Sequence, residues 1–274
     1  MAYMKIKDIN FYYEVKGNPD GEKTIVFLNG VMASTNSWKS YVKIFEALNF
    51  KIILHDFKGQ LLSDKPKGPY RFEDHAKETR ELLKALGVKK AHFIGTSYGG
   101  EVGMKFGVLF PEMVESLTLI NSVSEMDETL RLFVEGWKES AGRKDGEAFF
   151  WDLAPTIYHS SFLEKDPEGL KKRARGMKNL DEEFFQGQIA LYDTFLQDIY
   201  MTDELYLIKA PTLIIGGEKD LLKSIKFQEI LAKNIPHAEY VVIPDCGHVT
   251  IFEKEEELKT LLLGFVMKHI RTIC

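Results

Sequence analysis

Apolar residues follow two alternating rhythms along this chain. Short runs such as "TIVFL", "IILH", "HFIG", "LTLI" and "TLII" are nearly all apolar and are bounded by glycine, proline or charge. Between them lie longer segments whose apolar residues recur every three or four positions. The first rhythm is that of strands buried on both faces, the second that of amphipathic helices. Their alternation predicts an α/β protein with a mostly parallel sheet of about eight strands and helices on both faces. The opening runs "YMKIKDI" and "NFYYEVKG" alternate instead, as an antiparallel pair would.

The helical segments carry their own punctuation. Trp38, Tyr41, Val42, Phe45 and Leu48 mark one stripe, and Leu82, Leu83 and Leu86 another that ends near Gly87. "GGEVGMKFGVLFP" is stopped by Pro111. From about Val123 to Leu207 the strand rhythm disappears, and four helical patterns follow one another. Asp127, Asp166 and Asp181 stand where N-caps belong. This stretch is dense in aromatic residues, more than a small helical layer needs for its own core. It is expected to be a helical cap at 124–207, inserted into a core formed by 1–123 and 208–274, and to line an apolar cavity.

Composition narrows the function classes. Hydrophobic residues make up 45% and charged residues 28%, a balance that supports a large buried core. The formal net charge of -5 gives no electrostatic footprint for nucleic acid. "KKRAR" sits among acidic neighbours and reads as a solvated helix face. The N-terminal residues lack a signal-peptide pattern, and no run approaches the ~18 apolar residues of a membrane span. Two cysteines, Cys246 and Cys274, are too few for a disulfide framework, so a cytoplasmic setting is expected. No spacing of His, Cys and Asp suggests a metal, and no cofactor is implied. A homodimer is compatible with the pattern.

The chemistry centres on "GTSYG", Gly95 to Gly99, which matches G-x-S-x-G between a predicted strand and a predicted helix. There a serine occupies a tight turn that its glycine neighbours make sterically tolerable, and the helix N-terminus offers free N–H groups to a developing anion. Ser97 is the expected nucleophile. A serine hydroxyl needs a base. Of seven histidines, His248 lies on the loop "CGH" just past the last predicted strand, at the sheet edge where such folds bind ligands. Asp220, after "LIIGGEK", is the expected acid that orients the imidazole. Glu218, Asp245 and Glu125 are its rivals. Cys246 is close to His248 in sequence and is read as a bystander. The oxyanion hole is expected from the backbone N–H groups of Tyr98 and Val31, with Gly30 allowing close approach.

Together, Gly30, "HDFKGQLLSDKP", "GTSYGG", "GGEKD" and "CGH" resemble the cap-containing branch of the α/β-hydrolase superfamily over essentially the whole chain. That resemblance implies a serine hydrolase. Two departures stand out: Asn29 replaces the family's usual histidine, and Lys58, Leu61 and Leu62 replace its arginine, glycine and variable residue. "LNGVMASTNSW" is further similar to the oxyanion loop of transacylases that move 3-hydroxyacyl chains from acyl carrier protein, although Tyr98 stands where those carry tryptophan. It implies a small or medium-chain acyl substrate, with Met32 and Trp38 as candidate contacts. The expected activity is hydrolysis of a carboxylic ester or thioester through an acyl-enzyme. The alternatives are acyl transfer, lactone or carbon–carbon bond hydrolysis, and a ligand-binding receptor on the same fold.

Overall fold

The computed structural model describes residues 2–270, so Cys274 lies outside the described residues. Eight strands form one sheet in the order β1-β2-β4-β3-β5-β6-β7-β8. They are β1 (Ala2–Ile6), β2 (Ile9–Gly17), β3 (Thr24–Leu28), β4 (Lys51–His55), β5 (Ala91–Thr96), β6 (Val114–Ile120), β7 (Thr212–Gly217) and β8 (Glu239–Ile243). β1 pairs antiparallel with β2, and β2 antiparallel with β4; every other pairing is parallel. This is the α/β-hydrolase fold expected from the alternating rhythms.

Period-two alternation along β3 divides the core. Val26 and Leu28 join a cluster with Phe72 and Ala76 of α2 (Phe72–Ala85), Val102 and Phe106 of α3 (Tyr98–Leu109) and Phe227 of α9 (Ile225–Asn234). Ile25 and Phe27 point the other way, into a cluster with Tyr41 and Phe45 of α1 (Lys39–Ala47) and Leu258 and Leu262 of α11 (Glu255–Lys268). Both faces are therefore covered, which is why Ile25 to Leu28 are all apolar.

Between β6 and β7 run α4 (Glu128–Gly142), α5 (Gly146–Ile157), α6 (Ser160–Lys165), α7 (Pro167–Gly176) and α8 (Glu182–Asp198). The carboxylates of Asp127, Asp166 and Asp181 each accept a backbone N–H at the start of α4, α7 and α8, at 2.8–2.9 Å. Asp145 does the same for α5, a cap the periodicity did not reveal. The short α6 and α10 (Thr250–Glu253) also went unread, because four to six residues carry too little periodicity. Leu130, Phe149, Phe184 and Phe195 of these helices belong to the same cluster as β3 and α3, so the helical layer packs directly onto the sheet.

The chain order reverses at β3: β4 lies on one side and β5 on the other. The loops that follow β3 and β5 consequently open side by side, at the position where open α/β sheets bind ligands. β7 and β8 add two more loops at the same edge.

Candidate active site

Ser97 follows β5 directly and stands at the N-cap position of α3, with φ 51° and ψ -121°. A non-glycine residue in that region is strained, and it holds there because the surroundings fix it. Its N–H donates to Ile120 O at 2.8 Å. A Cβ added at Gly95 would lie 2.6 Å from Gly99 O, and one at Gly99 would lie 2.2 Å from Leu28 O. Both glycines are required by the close crossing of helix and strands at this turn.

His248 Nε2 lies 3.0 Å from Ser97 Oγ, and His248 Nδ1 lies 2.7 Å from Asp220 Oδ2. The other carboxylate oxygen of Asp220 accepts the N–H groups of Leu222 and Lys223 at 2.9 and 2.8 Å. Asp220 is 4% exposed and His248 8%. The three side chains thus form one hydrogen-bonded line, with the aspartate fixed by its own loop and the imidazole proton held on Nδ1, so that Nε2 can accept the serine proton. The rival acids lie elsewhere. Glu218 and Asp245 are exposed and bond to one another, and Glu125 accepts from Thr202. Cys246 is buried beside Thr250, and burial pushes its thiol up to about 12.

The line is braced by residues that the motifs did not mark. Asn121, at the end of β6, accepts Gly217 N–H at 2.8 Å and donates to the carbonyl of His248 and to Thr250 Oγ1. It thereby ties together the loops carrying the acid and the histidine. Glu253 accepts Gly247 N–H at 2.9 Å and His159 N–H at 3.2 Å, while His248 N–H donates to Ile157 O at the end of α5. A loop position directly after a strand was the only available sequence signal for Asn121.

The loop after β3 is held from beneath. Asn29 donates to His55 O and Asp56 Oδ1, both at 3.0 Å, and accepts from Trp38 Nε1 at 2.9 Å. Both ends of the Asn29 amide are therefore hydrogen-bonded within the protein. Burial pushes the Asp56 carboxyl up to about 6, against the backbone and Asn29 hydrogen bonds that pull it down. Gln60, fully buried, accepts Phe57 N–H at 2.9 Å and donates to Gly30 O at 2.8 Å. Gln188 of α8 donates to Val31 O at 3.3 Å. The carbonyl of the peptide that carries the Val31 N–H is thus occupied, and the Tyr98 N–H, at the first position of α3, has no intrahelical partner. A Cβ at Gly30 would make only ordinary contacts, the nearest at 3.4 Å. Close approach at that position thus does not by itself demand glycine. The replacement Lys58 forms a buried ion pair with Glu78 at 2.7 Å.

Trp38 is a correction to the sequence reading. It is 0% exposed, stacks on Phe27 at 4.7 Å between ring centroids and belongs to the core on the far side of the sheet. Its indole donates to Asn29, and Trp38 does not border the cavity beside Ser97. The apolar run around it reflects packing, which the loop's composition alone could not distinguish from binding. Met32 is half-buried against the other cluster.

Beside Ser97 is a narrow cavity of about 20 Å³, bordered by Val31, Tyr98, Leu130, Val134, Phe195 and Leu222 among others. That is room for about one water-sized group, so an acyl chain enters only if the side chains around it move apart. Lys223 also borders it. Its ammonium bonds both oxygens of the fully buried Glu101, at 2.9 and 3.0 Å, and Glu101 in turn accepts Val123 N–H. Burial pushes the Glu101 carboxyl up, and the Lys223 ammonium pulls it back.

Among the described residues no group of His, Cys, Asp and Glu could hold a metal ion, and no helix is long and apolar enough to cross a membrane. Residues 23–255 match the α/β hydrolase fold family, and the chain belongs to it. It is similar to the crystal structure of MGS-M2, an α/β hydrolase enzyme from a Medee basin deep-sea metagenome library, with 30% identity, a TM-score of 0.92, and coverage of 100% of this chain and 98% of that one. It is 24% identical to the monoacylglycerol lipase ABHD6 of Homo sapiens, over 97% of this chain and 82% of that protein. It is also 24% identical to 3-oxoadipate enol-lactonase 2 of Acinetobacter baylyi, over 91% and 90%. These relatives are hydrolases.

Proposed function

We propose that the protein is a serine hydrolase that cleaves a carboxylic ester or thioester of a small or medium-chain acyl group. The observation that carries this reading is the unbroken line from Ser97 Oγ through His248 to Asp220. As Ser97 attacks the carbonyl carbon, His248 Nε2 takes its proton, and Asp220 stabilises the resulting imidazolium. The carbonyl oxygen gains negative charge and receives the N–H groups of Val31 and Tyr98. Each such donor is worth about 3–4 kcal/mol of barrier. His248 then protonates the leaving group, and the acyl-enzyme is cleaved by a water that gives its proton to the same nitrogen.

In this reading residues 124–207 act as a cap over the acyl group, and Met32, next to Val31, is a candidate substrate contact. The lipase and enol-lactonase relatives act on ester-type bonds, which supports the same bond class here. The test is a panel of p-nitrophenyl esters, acyl thioesters and lactones assayed beside a Ser97→Ala control. Turnover that falls at least about a thousandfold in the control supports the nucleophile. Equal turnover in both proteins rejects it.

A further inference from the structure

Two residues that border the Ser97 cavity carry buried polar atoms with no hydrogen-bond partner among the described residues. They are Trp137 Nε1 on α4 and Tyr192 Oη on α8. Trp137 is 7% exposed and Tyr192 2%, and their ring centroids are 6.0 Å apart. A buried donor left unpaired is destabilising, so two beside one cavity require an explanation. A third donor stands on the same cavity. Lys223 gives ammonium protons to both oxygens of Glu101, and the same ammonium stands 4.9 Å from the centroid of the Phe195 ring, which also borders the cavity.

We infer that Trp137, Tyr192 and Lys223 form a subsite for a neutral acceptor oxygen, of keto or ether type, carried on the acyl chain of the substrate. This rests on the serine-hydrolase reading for its geometry. The indole and the ammonium can only donate, and the phenol can donate as well, so the group they take is an acceptor. The ligand is neutral because the cavity has no unpaired positive charge: the only cation on its wall, Lys223, is already matched by Glu101. A carboxylate would enter an apolar enclosure beside a buried glutamate without a counter-ion. The oxygen belongs to the acyl part because Val31, Ser97 and Tyr98 border the cavity whereas His248, which protonates the leaving group, does not.

The substrates therefore differ from plain fatty acyl esters in bearing an oxygen along the chain. A site built to hydrogen-bond such a group discriminates against the analogue that lacks it.

The test compares p-nitrophenyl levulinate, which has a 4-oxo group, with p-nitrophenyl valerate. The ratio of their kcat/KM values is corrected for the two esters' hydroxide-catalysed rates. We expect the corrected ratio to exceed one in the native protein and to fall about tenfold in Tyr192→Phe, and likewise in Trp137→Phe. Tyr192→Phe removes only a partnerless hydroxyl, so its melting temperature should match that of the native protein or exceed it. A ratio unchanged by both substitutions overturns the subsite.

A second arm does not need turnover. In Ser97→Ala protein, calorimetric Kd values for methyl levulinate and methyl valerate should favour the former, and adding Tyr192→Phe should abolish the preference. Equal affinities overturn the subsite. If Ser97→Ala hydrolyses esters as fast as the native protein, the nucleophile assignment fails, and this binding arm still decides the subsite on its own.

Discussion

Asn121 holds the carbonyl of His248 with its side-chain amide at 2.5 Å, although the two residues are 127 positions apart. Its carbonyl oxygen receives Gly217 N–H three residues before Asp220, so one buried amide spaces the acid loop from the histidine loop. It also sits at φ 47°, a conformation that asparagine adopts more readily than most residues. Asn121→Ala leaves buried backbone groups without partners and is expected to cost about 2–4 kcal/mol of stability. The misplaced imidazole should lower kcat by about 10- to 100-fold with a smaller change in KM. Denaturant unfolding and steady-state ester kinetics check both. Asn121→Asp keeps the acceptor for Gly217 but sets an oxygen against the His248 carbonyl. Its kcat should resemble that of the alanine variant, and native-like rates in either would show that the amide does not position the histidine.

Gln60 acts on the other half of the chemistry. Its amide clamps Gly30 O and anchors itself on Phe57 N–H, so it fixes the peptide that presents the Val31 N–H. Gln60→Leu has similar volume and no hydrogen bonds. Because an oxyanion donor acts in the transition state, the loss is expected in kcat, about tenfold or more, with KM little altered. A rise in KM alone would mean that Gln60 shapes binding and leaves the oxyanion loop intact.

The Glu101–Lys223 pair is buried at 0% and 4% side-chain exposure. Removing one partner of such a pair strands a charge, whereas removing both need not. Lys223→Met is expected to cost about 3–5 kcal/mol in urea unfolding. Adding Glu101→Gln, which retains an oxygen for Val123 N–H, should recover most of that loss. A double substitution as unstable as the single one would show that the pair contributes chiefly through packing.

How much of this was legible depends on how local the cause is. The strands, the elbow and three helix caps were readable because each is dictated within a few residues: an apolar run, a serine between glycines, an aspartate before a helix. Asp220 and His248 were readable because a parallel sheet brings the ends of its strands to one edge. Trp38 was misread because an apolar residue near a site looks the same whether it meets ligand or core. Only the stacking on Phe27 across the sheet decides it. Asn121, Gln60 and the Glu101–Lys223 pair were not legible at all. The contacts by which they brace the site span 30 to 127 residues, and no short pattern marks a buried amide or ion pair as a brace.

His92 offers a test of the fold itself by pH. It is 3% exposed, its Nδ1 lies 2.8 Å from Ser116 Oγ, and burial lowers its pKa from 6.5 to about 4. The folded protein therefore binds the proton less readily than the unfolded chain. Below pH 6.5 the unfolded state begins to gain protons that the folded state refuses, and stability falls until the folded pKa is reached near 4. From this one group the loss between pH 7 and 4 is about 3 kcal/mol. His55, also lowered to about 4 by burial, acts in the same direction, whereas Asp56, raised to about 6, opposes it in the same window. Comparison with His92→Asn cancels those other groups. The variant should be less stable than the native protein at pH 7, yet lose about 3 kcal/mol less on acidification to pH 4, as read by urea unfolding at several pH values. Parallel stability curves for the two proteins would mean that His92 titrates alike in the folded and unfolded chains, and that its burial exacts no proton-linked cost.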